Sequence, residues 1–382
     1  MSKTAEPRAD GGFSPAPPAD WRDREAVLLG SWAMHAVDSA GRVHPEPAHP
    51  FRSPYQRDRD RVVHSAAFRR LAHKTQVFTD YPGDYHRSRL THTLEVTSIA
   101  RTMARALSLN EDLVEALAMG HDIGHPPLGH AGEDTLHDLL ADEGGFSHNA
   151  QALRIMELLE NRYPEFPGLN LSREVLDAQM GRCDKSAENG RLLESQVVDA
   201  ADSIAYDTHD ADDAIELGLV ALDELLELPL VKAAAERVRD RFGELVGGEL
   251  RRAVLHDLVN VQVVELIDRT QRHLEEQAIA STAEVLAAGT LVTHSPKTAE
   301  GKRQLERFLF ERVYRSPSVM AVREPAQARL SQLFEWLVAH PAAMPARFVD
   351  RARHHGTRRT VADYIAGMTD RFLEREHAKR CV

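Results

Sequence analysis

The residues best suited to chemistry are histidines and carboxylates that cluster between positions 86 and 148. The chain has 20 histidines, and histidine is both the commonest metal ligand and the main acid–base side chain near neutral pH. His121 continues the apolar face that Leu113 and Leu117 define on a predicted helix, and Asp122 follows it directly. Because a helix end, a carboxylate and a loop rich in glycine and proline meet there, a metal-ligand pair is favoured over a merely packed histidine.

Two further side chains complete a metal-binding set. His92 begins the preceding predicted helix, so an antiparallel helix pair would bring it back towards His121. Asp202 interrupts an otherwise small and apolar helix, and a buried carboxylate needs a counter-charge. Two imidazoles and two carboxylates suit Mn²⁺, Mg²⁺ or Fe²⁺ better than a structural Zn²⁺, which prefers a closed cysteine-rich set. We therefore expect a divalent-metal centre made of His92, His121, Asp122 and Asp202.

A candidate acid–base pair follows the proline-containing loop. Glu133 lies one helical turn after His130, so its carboxylate can orient the imidazole and tune its acidity. Such a pair could deliver a proton to a leaving group or accept one from water. The alternative is that Glu133 only adds favourable negative charge to a helix N-terminus.

Arginines would be the candidates for holding a substrate that carries phosphate groups, because the chain has no Gly-x-x-x-x-Gly-Lys phosphate loop. The most basic stretch is 52–74. We expect most of its cations to be solvated, with Arg59, Arg61 and Arg69 as candidates for an interface or a nucleic-acid groove. Arg89 lies three residues before His92 and is the best candidate for a phosphate clamp, because a guanidinium can grip a phosphate through two hydrogen bonds.

The elements that must position these residues are almost all helical. We predict an all-α fold in which 1–54 is a largely disordered leader with order beginning near Tyr55, 55–219 is the core, and 220–382 is a C-terminal helical region packed on that core. A short strand pair near 76–78 and 84–86 is the one exception considered. The apolar spacing predicts helices at 91–107, 111–121, 147–161, 173–180, 191–219, 222–242, 250–276, 302–314, 324–340 and 360–377. Another helix is predicted to follow the loop that contains Gly124, Pro126, Pro127 and Gly129 and to end at about 140.

Composition narrows the class of protein. The formal net charge of -12 argues against a generic nucleic-acid coat or a binder of acidic membranes. Cys183 and Cys381 are far apart, so neither a disulfide framework nor a thiolate metal site is indicated. No apolar run reaches the roughly 18 residues that cross a bilayer, and the N-terminus lacks the apolar stretch of a signal peptide. We expect a cytoplasmic protein that does not enter a membrane.

Longer motifs around the ligands make the sequence similar to a known family. The set His92, His121, Asp122 and Asp202 resembles the signature of the HD superfamily. Four flanking motifs are more specific and resemble the bacterial dGTPase family of dNTP triphosphohydrolases: RRLAHKTQVF at 69–78, HDIGHPPLGHAGE at 121–133, GFSHNAQ at 145–151 and DYIAGMTD at 363–370. The resemblance extends from about residue 57 to the C-terminus.

This resemblance implies an activity and roles for individual residues. It implies hydrolysis of a dNTP to the deoxynucleoside and inorganic triphosphate, with His130 as the acid–base residue and Glu133 as its partner. His125 is expected to border the triphosphate, and Tyr206 to crowd the sugar 2′ position. Gln76 and Asp210 match positions that hydrogen-bond the 3′-hydroxyl, and Lys185 is a weaker candidate near the phosphates.

The resemblance also concerns partners, and it leaves alternatives open. Relatives form rings of identical subunits, so a homo-oligomer is expected, while a nucleotide effector or a single-stranded nucleic acid stays open. An HD-type phosphodiesterase or nucleotidase would share the metal ligands but gives no reason for His130, Glu133, Gln76 and Tyr206. A regulatory nucleotide sensor with a decayed metal site is disfavoured, because all four ligands are present. Base preference is not readable from the sequence.

Overall fold

The computed structural model describes residues 20–76, 87–183 and 190–381, and within these ranges the protein is built from helices. The described residues form no strand, only isolated bridges such as Thr75 with Ser88, so the predicted all-α class is confirmed. Most of the strand pair considered above lies outside the described residues. The α-helices are α1 Trp21–Leu28, α2 Pro54–Val63, α3 Ala66–Arg70, α4 Arg89–Ala106, α5 Glu111–Gly120, α6 Gly129–Leu139, α7 His148–Arg154, α8 Arg173–Cys183, α9 Leu193–Glu216, α10 Leu222–Leu226, α11 Pro229–Phe242, α12 Gly247–Glu276, α13 Thr282–Ala288, α14 Pro296–Leu309, α15 Pro317–Ala339, α16 Ala346–His355, α17 Thr357–Ala366 and α18 Asp370–Arg380.

Differences from the predicted helices have local causes. The predicted 222–242 helix is two helices, α10 and α11, because Pro229 lacks a backbone donor and instead begins α11. The predicted 360–377 helix also divides, since Thr369 caps α18 by accepting from the Phe372 amide. Single turns of π-helix, Ile155–Leu159 and Phe310–Tyr314, follow α7 and α14.

Helices α4, α5 and α9 form the centre of the largest hydrophobic core. They pack on one another, and α2 and α8 pack on α5. Asn110 caps α5 by accepting from the Leu113 amide, and Leu113 is completely buried. Because α5 ends at Gly120, the residues that follow, His121 and Asp122, lie where three buried helices meet.

The segment 20–54, which the sequence analysis assigns to a largely disordered leader, instead lies on this core. Ala33 and Met34 are buried in it, and the Met34 amide donates to the buried carboxylate of Glu194 at 2.9 Å. Order therefore begins well before Tyr55. The reason is non-local, since Met34 and Glu194 are 160 positions apart and no periodicity reveals their pairing. Residues 1–19 lie outside the described residues.

The C-terminal region contributes two smaller cores and part of the first. One packs α15, α17 and α18 against α6, and the other packs α11, α12 and α14 against the end of α9. Buried residues of α12 and α13 also belong to the largest core. The predicted boundary between 55–219 and 220–382 stays a prediction. The hydrophobic cores contain buried residues from both sides of it. None of the helices in the described residues is both long and apolar enough to cross a membrane.

Polar contacts join this C-terminal region to the segments around the candidate site. Asp370 accepts from the Thr75 amide at 2.8 Å, from the Thr75 hydroxyl at 2.5 Å and from the Leu128 amide at 2.9 Å. The buried Lys74 ammonium donates to the carbonyls of His125 and Ala366. Asp370 thus holds the loops that contain Thr75 and Leu128. Both loops lie next to predicted site residues, Gln76 in the first case and His130 in the second.

Replacing Asp370 with Ala should therefore loosen both loops at once. We expect the free energy of unfolding to fall by about 2–4 kcal/mol, because hydrogen bonds to a charged acceptor contribute roughly 1.5–3 kcal/mol each and are not additive. Urea titration followed by circular dichroism measures the change. Glu374→Gln on the same helix is the control, since its carboxylate is half exposed and pairs loosely with Arg329 at 3.7 Å. Equal stability of both variants would show that Asp370 does not hold the two loops in place.

Candidate metal centre and active site

Three helices bring the predicted metal ligands together. His92 lies in the first turn of α4, which Ser88 caps, and His121 and Asp122 follow α5 directly. Donor atoms of these three residues lie within 4.8 Å of one another, and all three side chains are buried. Asp202 on α9 completes the set, because its Oδ1 lies 3.1 Å from His92 Nε2 and 3.6 Å from His121 Nε2.

The arrangement of His121 fits a bound cation. Its Nδ1 donates to the Ala118 carbonyl at 2.5 Å, which leaves Nε2 as a lone-pair donor. Nε2 is buried without a hydrogen-bond partner and lies 3.4 Å from Asp122 Oδ1. A buried acceptor without a partner is costly unless something binds it. The four residues therefore fit a divalent metal.

The electrostatics of the two carboxylates agree with this fit. Burial alone would raise the pKa of Asp122, but His125, His121 and Arg89 hold it well below its usual value. Burial acts in the same direction on Asp202, and His121 and His92 again lower its pKa well below the usual value. Burial would lower the pKa of His121, but the two carboxylates raise it. Two ionised carboxylates beside two imidazoles are the donor set that a divalent cation requires.

Arg89, the predicted phosphate clamp, lies beside the ligands but is already engaged. Its Nη1 donates to Asp122 Oδ2 at 2.9 Å, and its Nη2 donates to the Gln76 carbonyl at 3.3 Å. The side chain is 1% exposed. Arg89 thus neutralises part of the charge on Asp122, and its role as a phosphate clamp stays a prediction.

A second polar cluster adjoins the ligand set. His130 Nδ1 lies 3.2 Å from Glu133 Oε2, as the predicted pair requires. Glu133 also accepts from the His148 amide and contacts His148 Nδ1, both at 2.8 Å. His125 stacks on His148 with 3.8 Å between ring centroids, and its Nδ1 lies 3.0 Å from Asp122 Oδ1. His125 therefore connects the two clusters.

The neighbours of Glu133 and His125 determine their charges. Burial would raise the pKa of Glu133, but hydrogen bonds with His130 and His148 hold it far below its usual value. Burial, with the positive charge of Arg89, lowers the pKa of His125 well below its usual value. Glu133 is therefore an ionised partner for two histidines, and His125 is neutral near pH 7.

One cavity of about 590 Å³ opens onto both clusters. Among its lining residues are eight that the sequence predicts as site residues: Gln76, Arg89, His92, Asp122, His125, His130, Asp202 and Tyr206. His121 and Glu133 do not line it, but each contacts residues that do. Asp210 also lies outside the lining, where it accepts a hydrogen bond from the Tyr314 hydroxyl.

Several further cavity residues have no role assigned from the sequence, among them His148, Asn149, Arg182 and Arg191. His148 and Asn149 occur only inside a quoted motif, and that motif is the signal that could have identified them. Arg182 and Arg191 line the cavity from α8 and from the residues before α9, and both pair with Asp199. The sequence gives no signal that these two arginines line the cavity, because neither lies within a motif that contains a predicted ligand. Lys185 lies outside the described residues.

Comparison with known proteins supports the same interpretation. The HD domain family matches residues 89–207, which contain all four predicted metal ligands, and the phosphohydrolase-associated domain family matches residues 292–379. An all-α fold with this His/Asp set defines a phosphohydrolase of the HD class, for which a divalent metal is implied.

Whole-length relatives define the family more narrowly. The deoxyguanosinetriphosphate triphosphohydrolase-like protein of Azoarcus sp. (strain BH72) is 42% identical over 371 residues, covering 94% of this chain and 98% of the relative. Those of Geobacter sulfurreducens and of Leptospira interrogans serovar Lai are 40% and 38% identical, covering 92% and 93% of this chain and 94% and 97% of the relatives. The chain belongs to this deoxyguanosinetriphosphate triphosphohydrolase-like family, which confirms the predicted resemblance.

Asp122→Ala tests the metal centre. The substitution removes one ligand and leaves Arg89 buried without its carboxylate, so we expect metal content to collapse and turnover to fall by more than about 10². Metal is measured by elemental analysis of the purified protein. Asp134→Ala on α6 is the control, because its carboxylate is 60% exposed and pairs with Arg323. Retained metal with normal turnover in Asp122→Ala would rule out the assignment.

Asp210 generates a pH-dependent prediction. Burial raises its pKa to about 8, and the charges of Asp213 and Asp207 act in the same direction, against Tyr314 and Arg87. Since the folded state holds this proton more tightly than the unfolded chain, its contribution to stability is complete below about pH 4. That contribution is lost as pH rises through 8.

We therefore expect Asp210→Asn to become progressively more stable relative to the wild type as pH rises from about 4 to 8, and the difference to level off above 8. Urea titrations at each pH measure it. Asp240→Asn, an exposed position on α11, should leave the pH profile unchanged. A difference between Asp210→Asn and wild type that does not vary with pH would refute the raised pKa.

Proposed function

We propose that this chain hydrolyses a deoxynucleoside triphosphate to the deoxynucleoside and inorganic triphosphate, by attack of water at the α-phosphorus. The observation that carries the proposal is that the metal-ligand set and the cluster of His130, Glu133 and His148 meet at one cavity. The names of the relatives, which are deoxyguanosinetriphosphate triphosphohydrolase-like proteins, support the same substrate class.

The residues His92, His121, Asp122 and Asp202 would hold the metal, which we assign as Mn²⁺ or Mg²⁺, with Fe²⁺ as a further candidate. When bound, such an ion neutralises charge on phosphoryl oxygens and polarises a water molecule. The chain prepares the site by orienting His121 through the Ala118 carbonyl. Arg89 limits the negative charge of the centre by pairing with Asp122.

His130 is our candidate for the proton transfer. Its Nδ1 contacts Glu133, which leaves Nε2 to exchange a proton with the substrate. Its side chain is 48% exposed and lines the cavity, so a substrate can reach it. We assign it protonation of the 5′-oxygen, the atom that leaves when its bond to the α-phosphorus breaks. Glu133 orients His130 and His148, and His125 borders the phosphates from the buried side.

Recognition of the deoxyribose is assigned to Tyr206 and Gln76. Tyr206 lies one helical turn after Asp202, and its ring centroid is 6.5 Å from that of His130, so it can crowd the sugar 2′ position. Gln76 Oε1 is buried without a partner on the cavity wall, which suits a hydroxyl donor such as the 3′-hydroxyl. Asp210 supports this wall from behind, through Tyr314, instead of lining it.

The alternative functions have less support. An HD-type phosphodiesterase or nucleotidase would use the same ligands, but it gives no reason for Gln76 and Tyr206 to line the cavity. A nucleotide sensor with a decayed centre gives no reason for a complete ligand set. A homo-oligomer, a nucleotide or single-stranded nucleic-acid effector and a cytoplasmic location remain predictions of the sequence.

The product pattern tests the proposed reaction. With Mn²⁺ or Mg²⁺ and each dNTP in turn, the wild-type protein should release inorganic triphosphate and deoxynucleoside, detected by anion-exchange chromatography. His130→Ala should keep its metal content but lose about 10² to 10⁴ in turnover, because it lacks the proton donor.

His354→Ala is the matched control, since His354 lies exposed at the end of α16. Release of pyrophosphate with dNMP, or of orthophosphate with dNDP, would show that the bond broken is not the one between the 5′-oxygen and the α-phosphorus, and would contradict the proposed reaction. Normal turnover of His130→Ala would remove His130 from the mechanism.

A further inference from the structure

A second cavity, of about 320 Å³, lies beside the loop between α5 and α6, and the chemistry proposed above does not use it. It shares no lining residue with the active-site cavity. Each of the four motifs quoted in the sequence analysis contributes to its wall, with Arg70, Ile123, Gln151 and Asp363 as examples. The motif at 363–370 contributes nothing to the lining of the active-site cavity. A ligand of its own would give this second cavity a role.

Basic side chains dominate the lining of the second cavity. Four arginines and one lysine accompany two acids: Arg69, Arg70, Arg162, Arg347 and Lys74 with Glu160 and Asp363. Arg154 already matches Asp363, to which its Nε and Nη2 donate at 3.0 Å and 2.5 Å. Glu160 can balance one arginine, so three positive charges remain even if Lys74 is neutral. The formal net charge of the chain is -12, so its overall composition does not explain this cluster.

The arginines of the second cavity contact carbonyls and rings instead of acids. Arg69 and Arg162 each donate to the His64 carbonyl at 3.0 Å. The guanidinium carbon of Arg347 lies 5.1 Å from the centroid of the Phe348 ring. These contacts leave the positive charges without a counter-charge, because none of them involves a carboxylate.

Arg70 lies among these cations with no hydrogen bond inside the described part of the chain. Burial lowers its pKa, and the charges of Arg347 and Arg69 act in the same direction, against the attraction of Glu160. Three guanidiniums therefore repel one another across the cavity. An anion between them would relieve this repulsion.

Two buried polar side chains form part of the same lining. Gln151 is 2% exposed, and its Oε1 is buried without a hydrogen-bond partner, so its terminal amide is available to a ligand. Lys74 is equally buried, and its ammonium donates to the carbonyls of His125 and Ala366. Burial and the charge of Arg70 lower its pKa to about 7. A nearby anion would favour the ammonium form and, with it, the bond to the His125 carbonyl.

The size and the walls of the second cavity favour an inorganic anion over a nucleotide. Its volume is at the lower end of the range of about 300–1,000 Å³ that is typical of ligand cavities. Phe348 is the one aromatic residue among those known to line it, and Arg347, Arg351 and Tyr364 lie 5.1 Å, 5.5 Å and 4.9 Å from its ring centroid. A base would have to displace these neighbours before it could stack on the ring. Phosphate oxygens, in contrast, suit several guanidiniums at once.

We propose that the second cavity binds an inorganic phosphate chain, such as pyrophosphate or triphosphate, and that the bound anion reaches Lys74 and thereby stabilises the loop between α5 and α6. This proposal does not rest on the proposed function, because binding there requires no turnover and no metal ligand.

Titration calorimetry with sodium pyrophosphate, on the full chain with its metal, tests the site. The wild type should show a binding component that is weaker by about tenfold or more in Arg70→Gln and in Arg347→Gln, since each loses a bond to a charged group. Removal of the metal with EDTA should leave this component in the wild type. Arg353→Gln on α16 is the matched control, because Arg353 is 72% exposed and pairs with Asp350.

Hydrogen exchange tests the connection to the loop. Pyrophosphate should slow the exchange of the amides within 123–128 by about threefold or more in the wild type, and it should have no such effect in Arg347→Gln. Arg347 is exposed, so its substitution leaves the fold intact. Melting temperatures check both variants, and Arg347→Gln alone decides the question if Arg70→Gln does not fold.

An unchanged pyrophosphate Kd in Arg347→Gln would overturn the site, and loss of the component with EDTA would assign it to the metal centre instead. Tighter binding of a dNTP than of inorganic triphosphate, lost in Arg347→Gln, would show that the cavity takes a nucleotide and would overturn the inorganic ligand. Unchanged exchange of the loop amides in the pyrophosphate-bound wild type would overturn the connection through Lys74.

Discussion

The carboxylate of Asp122 is buried, and most of the site is organised around neutralising it. An ionised carboxylate without partners inside a protein costs several kcal/mol. Arg89 meets it on one oxygen at 2.9 Å, and His121 and His125 approach the other at 3.4 Å and 3.0 Å. A metal ion would supply the remaining positive charge. Removal of any partner therefore affects the metal centre and the histidine cluster together, because they share this one charged group.

The loop between α5 and α6 must be rigid if Asp122 is to serve both the metal centre and the histidine cluster. A Cβ at Gly124 would lie 2.0 Å from the His148 carbonyl oxygen, so the loop packs directly on the start of α7. Leu128 adopts a left-handed conformation with φ of 66°, which is unfavourable for a branched residue unless its surroundings hold it. Asp370 does so by accepting from the Leu128 amide, and Lys74 binds the His125 carbonyl. The C-terminal region is thus part of the active-site framework.

The two clusters line the same cavity but suit different kinds of chemistry. The ligand set concentrates negative charge and suits a cation, whereas His130 and His148 share a single ionised carboxylate, Glu133, and suit proton transfer. Helix α9 aligns the other groups beside them, with Asp199 before and Tyr206 after the ligand Asp202. The spacing of one helix therefore sets the distances between Asp199, the predicted ligand Asp202 and Tyr206, the residue proposed to contact the sugar.

The sequence by itself determined the helical class and the family, and it predicted the set of metal ligands. Helical periodicity is local, His121 and Asp122 are adjacent, and the motif at 121–133 spans one loop, so each signal is contained within a few residues. Only the tertiary structure decided which groups these residues meet. Arg89 pairs with Asp122 instead of standing free, Asp210 lies behind the cavity, and the segment 20–54 packs on the core. His148 and Arg182 approach the ligands from α7 and α8, and Arg191 approaches from the residues before α9. Charge pairing and burial act between different segments of the chain, so no local sequence pattern reveals these neighbours.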